Sequence, residues 1–237
     1  MKPVRVQVER TVRIAEIFQS IQGEGPLAGV ESVFVRLSGC NLRCWFCDTP
    51  YTSFAPEGDA QSCDEVLASI RPHTAQHVVV TGGEPLLFPE CVELTQRLRD
   101  LRQHITIETA GTVFRPVTAD LMSISPKLPD SRPRNLPNWT ERHERVRWNP
   151  DAIERLTRGY NYILKFVIES AHELDEVEQW LSHFRHIPHD RVWIMPQATS
   201  RAELQEKSTW LPAATAERGF QFSTRLHIEQ FGNQRGT

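Results

Sequence analysis

Three of the five cysteines in this 237-residue chain lie in one short stretch, CNLRCWFCDT, at residues 40–49. Cys40, Cys44 and Cys47 have the spacing C-x3-C-x2-C, and an apolar run at 32–38 comes directly before them. Cysteine thiolates bind soft transition metals, so thiols clustered in a loop indicate a metal or redox site. A structural zinc ion takes four protein ligands, so a histidine from elsewhere would have to complete a zinc site here.

A buried core and an iron–sulfur cluster are the alternatives to zinc. Free cysteine is among the most buried residue types, so the triplet could simply fill a core. An iron–sulfur cluster commonly takes four thiolates per 4Fe–4S unit. Three cysteines would leave one iron open, and an open position on a metal usually serves a ligand or a reaction. Cys63 and Cys91 fall in predicted helices and are interpreted as structural.

Unusual residues also follow four other predicted strands. These stretches are TGGEP (81–85), ETAG (108–111), SPK (125–127) and MPQ (195–197). In a parallel α/β fold, ligands bind at the carboxyl ends of the strands. We therefore expect these strand ends and the cysteine loop to converge on one site.

The composition excludes several classes of protein. Apolar residues make up 39% of the chain and charged residues 24%, which is ordinary for a soluble globular protein. The net charge of −3 gives no basic surface for nucleic-acid phosphates. The chain shows no long apolar run and no signal-peptide pattern, so a cytoplasmic protein without membrane contact is expected.

Runs of β-branched and aromatic residues alternate with helical patterns. Strands are predicted at 12–18, 32–38, 77–82, 104–110, 121–125, 162–168, 191–197 and 225–231. Helices are predicted at 89–103, 149–159 and 171–184, and after the capping boxes Ser62/Glu65 and Ser200/Glu203, with Pro212 breaking or kinking the last one.

This alternation predicts one α/β domain over residues 1–237, with a parallel sheet, helices outside it, and a full or partial (β/α) barrel. The segment 129–150 interrupts the pattern, because it is rich in proline, charge and tryptophan. It is interpreted as a long loop or mobile insertion, either a lid over the site or an idle surface loop.

The cysteine triplet followed by TGGEP resembles the radical S-adenosylmethionine (SAM) enzymes. In that superfamily the three cysteines hold a 4Fe–4S cluster, and the open iron binds the amino and carboxylate groups of SAM. The reduced cluster then cleaves SAM to a 5′-deoxyadenosyl radical. The resemblance implies the partial (β/α) barrel of that superfamily, with the parallel sheet inside its helices.

A longer stretch, from EIFQSIQGEG (16–25) through the cysteine loop, is similar to the 7-carboxy-7-deazaguanine synthases, lyases of queuosine and 7-deazapurine biosynthesis. The similarity continues through ETAGT (108–112), SISPK (123–127) and the closing FGNQRGT (231–237). It implies radical ring contraction of 6-carboxy-5,6,7,8-tetrahydropterin to 7-carboxy-7-deazaguanine, with hydrogen removal at C6, loss of ammonia and regeneration of SAM.

The resemblance assigns the cluster to the three loop cysteines and Mg2+ to Thr49. SAM contacts are assigned to Phe46, Cys47, Asp48, Gly83, Glu84, Ser125, Pro126, Lys127 and Gln197. Glycines allow close backbone approach, and a carboxylate suits the SAM ammonium group. A lone hydroxyl is a weak Mg2+ ligand, so substrate oxygens would have to fill the remaining positions. Read alone, Asp48-Thr49-Pro50 would simply be a turn.

Substrate contacts are assigned to six residues, namely Ile21, Gln22, Gly23, Glu24, Arg36 and Thr81. A pterin presents a flat edge of donors and acceptors, which amide, carboxylate and backbone groups can read. Arg36 lies in an apolar strand, where it either clamps the substrate carboxylate or pairs with a structural one. The roles of Glu108 and Thr109 stay open, and no catalytic residue is assigned beyond cluster and cofactor.

The resemblance also implies an electron donor such as flavodoxin or ferredoxin, and a homodimer. Two alternatives remain. A glycyl-radical activating enzyme has the same triplet but acts on a protein, whereas IQGEG and Arg36 suit a small carboxylated heterocycle. A zinc-bound binding module without catalysis is the alternative from another class.

Overall fold

Side chains alternate along the strands between an apolar and a more polar face. In the computed structural model, which describes residues 10–237, β2 (Glu31–Leu37) buries Val33, Val35 and Leu37 completely in the core shared with the helices. The intervening Phe34 and Arg36 line a cavity on the opposite face. Since neighbouring strand residues point to opposite faces, this pattern separates the core from a polar interior.

The remaining strands continue this sheet. They are β1 (Thr11–Ile21), β3 (Asp59–Ser62), β4 (His77–Gly82), β5 (His104–Thr109), β6 (Leu121–Ile124), β7 (Tyr162–Ile168), β8 (Val192–Pro196) and β9 (Gln221–Phe222). Their order is β3-β1-β2-β4-β5-β6-β7-β8-β9. From β2 to β9 every neighbouring pair is parallel. The carboxyl ends of β4 to β8 therefore share one edge of the sheet.

Eight α-helices accompany the strands in the described part of the chain. They are α1 (Cys63–Ile70), α2 (Glu90–Asp100), α3 (Pro137–Arg147), α4 (Pro150–Gly159), α5 (His172–Leu181), α6 (Arg201–Ser208), α7 (Leu211–Glu217) and α8 (Leu226–Phe231). The predicted capping boxes begin α1 and α6, and Pro212 lies in the first turn of α7. Within residues 10–237, no helix is both long and apolar enough to cross a membrane.

The predicted α/β class and largely parallel sheet are confirmed, and the sheet is open, as a partial barrel requires. One element of the prediction is wrong, because β1 runs antiparallel to both of its neighbours, β2 and β3. A short connection suffices for an antiparallel pair, and only nine residues, 22–30, separate β1 from β2.

Two further predictions are corrected. Residues 225–231 contain helix α8 and no strand. Gly232, at φ 73°, ends this helix and donates its N–H to the Ile228 carbonyl oxygen. The apolar alternation there is too short to distinguish a strand from a helix. The segment 129–150 is not an irregular loop, because Pro137 and Pro150 begin helices, a position at which proline is favoured.

Candidate active site

One cavity of about 490 Å³ lies at the carboxyl ends of the parallel strands. Its volume is in the range of ordinary small-molecule sites. The cysteine loop and the ends of β4 to β8 all line it, which confirms the predicted convergence. Every sequence-predicted site residue except Glu84 and Pro126 takes part in the lining.

The three cysteines of the loop carry free thiols, with Cys44 buried and the other two half-buried. Burial raises the pKa of Cys40 to about 11 and that of Cys44 to about 12. These thiols are therefore protonated at neutral pH by themselves, and a bound metal has to displace their protons. Cys47 receives contacts from Ser53 Oγ at 3.5 Å and Thr49 Oγ1 at 3.9 Å.

Three cysteines at C-x3-C-x2-C spacing offer thiolates of the kind that hold an iron–sulfur cluster. Among residues 10–237, no three His, Cys, Asp or Glu side chains converge as the ligands of one metal ion would. A cluster distributes its thiolates over several irons and needs no such convergence. The predicted zinc alternative would need a fourth protein ligand in addition to the three cysteines.

Glycines at the end of β4 allow that strand to approach the cysteine loop. A Cβ on Gly83 would lie 2.2 Å from the Gly39 oxygen and 2.9 Å from the Cys40 Cβ. Gly82 has φ 128°, and a Cβ there would lie 2.0 Å from the Leu37 oxygen. This close contact explains both glycines by packing and places Gly83 on the cavity wall beside Cys40.

Glu84 is predicted to contact the ammonium group of SAM, but its carboxylate is bonded to groups within the protein. Its fully buried carboxylate accepts hydrogen bonds from the Thr109 hydroxyl at 2.7 Å and from the N–H groups of Ala110 at 2.8 Å and Leu86 at 3.1 Å. The carboxylate therefore joins the ends of β4 and β5 and is turned away from the cavity. Pro126 also lies outside the cavity lining.

The other predicted SAM contacts lie at the cavity as expected. Lys127 Nζ donates to the Ser125 carbonyl oxygen at 2.9 Å and to Ser125 Oγ at 2.6 Å. Gln197 accepts hydrogen bonds from the buried Lys207 through its backbone oxygen at 2.6 Å and its side chain at 3.2 Å. Phe46 and Asp48 line the same space.

A series of alternating charges crosses the cavity. Lys165 Nζ lies 2.5 Å from a Glu24 oxygen and 3.6 Å from a Glu108 oxygen. Arg225 lies 3.1 Å from the other Glu24 oxygen and also pairs with Asp48. This series connects the IQGEG loop, the cysteine loop and the C-terminal segment through side chains.

The ion pairs keep these groups charged despite their burial. Burial alone would raise the pKa of Glu24, but Lys165, Arg225 and His227 together hold it far below its usual value. Burial alone would lower the pKa of Lys165, but Glu24 and Glu108 hold it above its usual value. The cavity therefore has fixed full charges at neutral pH, which can orient a polar ligand.

The predicted pterin contacts form a wall of mutually bonded side chains. Gln22 Nε2 donates to Glu108 Oε1 at 3.3 Å, and the Glu24 N–H donates to Gln22 Oε1 at 3.1 Å. The Thr81 hydroxyl donates to Glu108 Oε2 at 2.8 Å. Glu108, whose role the sequence left open, thus connects two predicted substrate residues.

Gly23 is needed where the IQGEG loop meets the C-terminal segment. A Cβ on Gly23 would lie 2.0 Å from His227 Nδ1, and the Gly23 oxygen accepts from the Leu226 N–H at 2.9 Å. Residues 233–237 also line the cavity. The C-terminal segment is therefore part of the site, which sequence reasoning did not identify.

Arg36 pairs with a structural carboxylate and also lines the cavity. Its Nε donates to Glu16 Oε1 at 2.6 Å, and Tyr51 donates its hydroxyl to the same oxygen at 2.6 Å. Within residues 10–237, the two terminal nitrogens of Arg36 have no hydrogen-bond acceptor, and the side chain lines the cavity. A structural carboxylate thus fixes the guanidinium while two donor nitrogens stay available.

Lys165 and Arg225 were the main charged residues missed. Lys165 carried a usable signal, because a lone cation inside the apolar run YILKFVI resembles Arg36 in its strand. Arg225 carried none, because its run was interpreted as a strand.

Comparison with known proteins identifies the family. The Radical SAM superfamily model matches residues 34–130. The 7-carboxy-7-deazaguanine synthase of Rhodopirellula baltica is 43% identical over 97% of this chain and 90% of its own length. That of Halobacterium salinarum is 40% identical over 91% of this chain and 88% of its own. The chain belongs to the 7-carboxy-7-deazaguanine synthase family.

Solved structures agree with this membership. QueE from Escherichia coli has a TM-score of 0.68 and 25% identity, with coverage of 92% of this chain and 95% of QueE. Streptococcus suis SuiB bound to its precursor peptide SuiA has a TM-score of 0.55 at 16% identity, over 81% of this chain and 48% of SuiB, and shows the shared fold alone. The 7-carboxy-7-deazaguanine synthase family consists of radical SAM enzymes, so this chain is an enzyme that uses a 4Fe–4S cluster, SAM, a small-molecule substrate and a reductant.

Proposed function

We propose that this chain converts 6-carboxy-5,6,7,8-tetrahydropterin to 7-carboxy-7-deazaguanine with loss of ammonia, in queuosine or 7-deazapurine biosynthesis. The observation that carries the proposal is one cavity lined both by the cysteine triplet and by the bonded wall of Gln22, Glu108 and Thr81. The names of the relatives supply the identity of the product, 7-carboxy-7-deazaguanine.

Cys40, Cys44 and Cys47 would hold the cluster, which with SAM supplies the hydrogen-abstracting radical. Of the predicted SAM contacts, the proposal keeps those that line the cavity, namely Phe46, Cys47, Asp48, Gly83, Ser125, Lys127 and Gln197. Glu84 is retained only as the group that holds Gly83 and the 109–111 turn in place, and Pro126 only as part of the turn between Ser125 and Lys127.

The chain's own groups would orient the substrate. Gln22, Glu24 and Glu108 offer an amide and two carboxylates to the donor and acceptor edge of a pterin. The free nitrogens of Arg36 offer paired donors to the substrate carboxylate. Thr81, Ile21 and Gly23 complete the contact surface. Because Lys165 pairs with both carboxylates, it fixes the two side chains in place when water leaves the cavity.

Thr49 is proposed as the Mg2+ ligand. It lines the cavity directly behind Cys47, and among residues 10–237 its hydroxyl receives only a 3.5 Å contact from Thr52 and a 3.9 Å contact from the Cys47 sulfur. Mg2+ usually keeps few protein ligands and takes the rest of its shell from water and substrate. A homodimer, a cytoplasmic location and flavodoxin or ferredoxin as the reductant complete the proposal.

The decisive experiment is anaerobic incubation of reconstituted enzyme with SAM, Mg2+, a reductant and the carboxytetrahydropterin. Formation of 7-carboxy-7-deazaguanine together with ammonia is expected. SAM cleavage without this product would contradict the proposed substrate and favour an activating enzyme that acts on a protein. Zinc in place of iron and sulfide after anaerobic purification would contradict the cluster itself.

A further inference from the structure

Residues 128–147, here called the brace segment, lie against the cysteine loop. The segment comprises a 3-10 turn (Pro129–Ser131) and helix α3. It follows directly on the SPK turn, and Arg147 Nη1 donates to the Lys127 carbonyl oxygen at 3.1 Å. Both of its ends are therefore held near the predicted SAM site.

The brace segment binds the backbone on both sides of Cys44. The N–H of Arg43 donates to His143 Nδ1 at 3.2 Å. The N–H of Trp45 donates to the Ser131 carbonyl oxygen at 3.2 Å. The two amides that flank the most buried loop cysteine thus have their acceptors in one segment about 90 to 100 residues further along the chain.

His143 is suited to this role by its burial and its tautomer. Its side chain is completely buried. Since Nδ1 accepts a backbone N–H, the ring proton lies on Nε2, which donates to Ser131 Oγ at 2.9 Å. Ser131 Oγ in turn donates to the Leu128 carbonyl oxygen at 2.6 Å. Burial lowers the pKa of His143 to about 4, in agreement with a neutral ring.

Two cation–π contacts support the same interface. The Arg43 guanidinium lies 4.0 Å from the centre of the Trp139 ring, and the Arg134 guanidinium lies 3.6 Å from the centre of the Trp45 ring. In the first contact the cysteine loop supplies the cation and the brace segment the ring, and in the second contact these roles are reversed.

We propose that the brace segment fixes Cys44 for the cluster, and that His143 is a positioning residue in the shell behind the cysteine ligands. Groups that orient metal ligands tune how tightly the metal is held. The inference rests on the cluster part of the proposed function and is independent of the substrate. It also gives residues 129–150, left unexplained by the sequence, a role in the site.

The test compares His143→Phe, His143→Asn and the control Glu141→Ala, all in α3. Phenylalanine retains the ring volume but removes both hydrogen bonds, and asparagine offers an acceptor near the Nδ1 position. Glu141 is exposed, so its variant should behave as wild type. Each protein is reconstituted anaerobically, iron and sulfide are measured, and the loss of the visible cluster absorption is followed after exposure to a chelator and to air.

We expect His143→Phe to lose its cluster roughly tenfold faster than wild type, with an altered electron paramagnetic resonance spectrum of the reduced cluster. The rate of cluster loss in His143→Asn should lie between the rates in wild type and in His143→Phe. Thermal unfolding of the metal-free proteins identifies variants that fail to fold. If His143→Phe does not fold, His143→Asn serves as the test. Equal cluster retention and identical spectra in folded His143→Phe and wild type would overturn the inference. Product formation is not used, so failure here leaves the proposed reaction unaffected.

Discussion

Arg225 forms an ion pair with Asp48 although the two residues are 177 positions apart in the chain. The same guanidinium also donates to Glu24 Oε1 at 3.1 Å and to the Ala198 carbonyl oxygen at 2.5 Å. One nearly buried arginine therefore holds the IQGEG loop, the residue behind Cys47 and the C-terminal segment at fixed positions around the cavity.

Replacing Arg225 by methionine should strongly destabilise the protein, because it leaves Glu24 buried without one of its two cationic partners. Removing one partner of a buried pair costs about 3–5 kcal/mol, and the partial exposure of Asp48 favours the lower end. Urea denaturation of the metal-free protein measures this. Arg158→Met, which removes a surface pair with Glu154, should change stability by less than about 1 kcal/mol. Equal effects in both variants would contradict the predicted role.

Stability should fall in acid partly through Glu24. Its folded pKa lies below the ordinary value of 4.5, because Lys165 and Arg225 outweigh the effect of burial. The stabilisation from its ionisation is therefore complete above pH 4.5 and is lost as the pH falls through the folded pKa. Urea denaturation below that pH should show a shallower pH dependence for Glu24→Gln than for wild type. Glu31→Gln, at an exposed position, should keep the wild-type slope.

Gly83→Ala should disturb the cysteine loop. Its Cβ would lie 2.2 Å from the Gly39 oxygen, so the backbone before Cys40 has to move. We expect the free energy of unfolding to fall by about 1–3 kcal/mol, and less iron to be bound after reconstitution. At Gly159, a Cβ meets no atom within 4 Å, so Gly159→Ala should be neutral or stabilising. Normal iron content in Gly83→Ala would show that the loop tolerates the displacement.

Arg36→Lys distinguishes a substrate clamp from a structural pair. Lysine can still approach Glu16 but loses the paired donors that Arg36 presents to the cavity. We expect the KM for the carboxylated pterin to rise roughly 10- to 100-fold, with little change in SAM cleavage. Glu16→Gln is the matched variant of the structural partner. It should mainly lower the free energy of unfolding, with a smaller rise in KM than in Arg36→Lys. A stability loss in Arg36→Lys with unchanged KM would assign Arg36 to structure alone.

Thr49→Ala tests the proposed Mg2+ ligand. The variant should retain the cluster and its SAM cleavage, but should need roughly tenfold more Mg2+ for half-maximal turnover. Thr49→Ser keeps the hydroxyl and should titrate like wild type. An unchanged Mg2+ response in Thr49→Ala would remove this assignment and leave the other site residues as they are.

The residues that carry chemistry could be recognised in the sequence because their types and spacing are local. Cys40, Cys44 and Cys47 lie within eight residues, and TGGEP and SPK follow short apolar runs rich in β-branched residues, which favour strands. Once a parallel sheet was inferred, its geometry required these strand ends to meet. For Glu84 the motif indicates a place at this strand end, but the direction of its carboxylate depends on the hydrogen bonds that Thr109 and Ala110 donate to it.

Contacts between residues far apart in the chain were decided by the tertiary structure. Nothing near Arg225 indicates that it pairs with Asp48 and Glu24, and nothing near His143 indicates that it accepts a hydrogen bond from Arg43. Such partners are selected by burial, since a charge or a ring nitrogen removed from water requires a partner wherever the fold brings one. The sequence by itself determined the kind of chemistry and the edge of the sheet at which it occurs. The fold decided which side chains surround it, because long-range contacts depend on how the strands and helices pack.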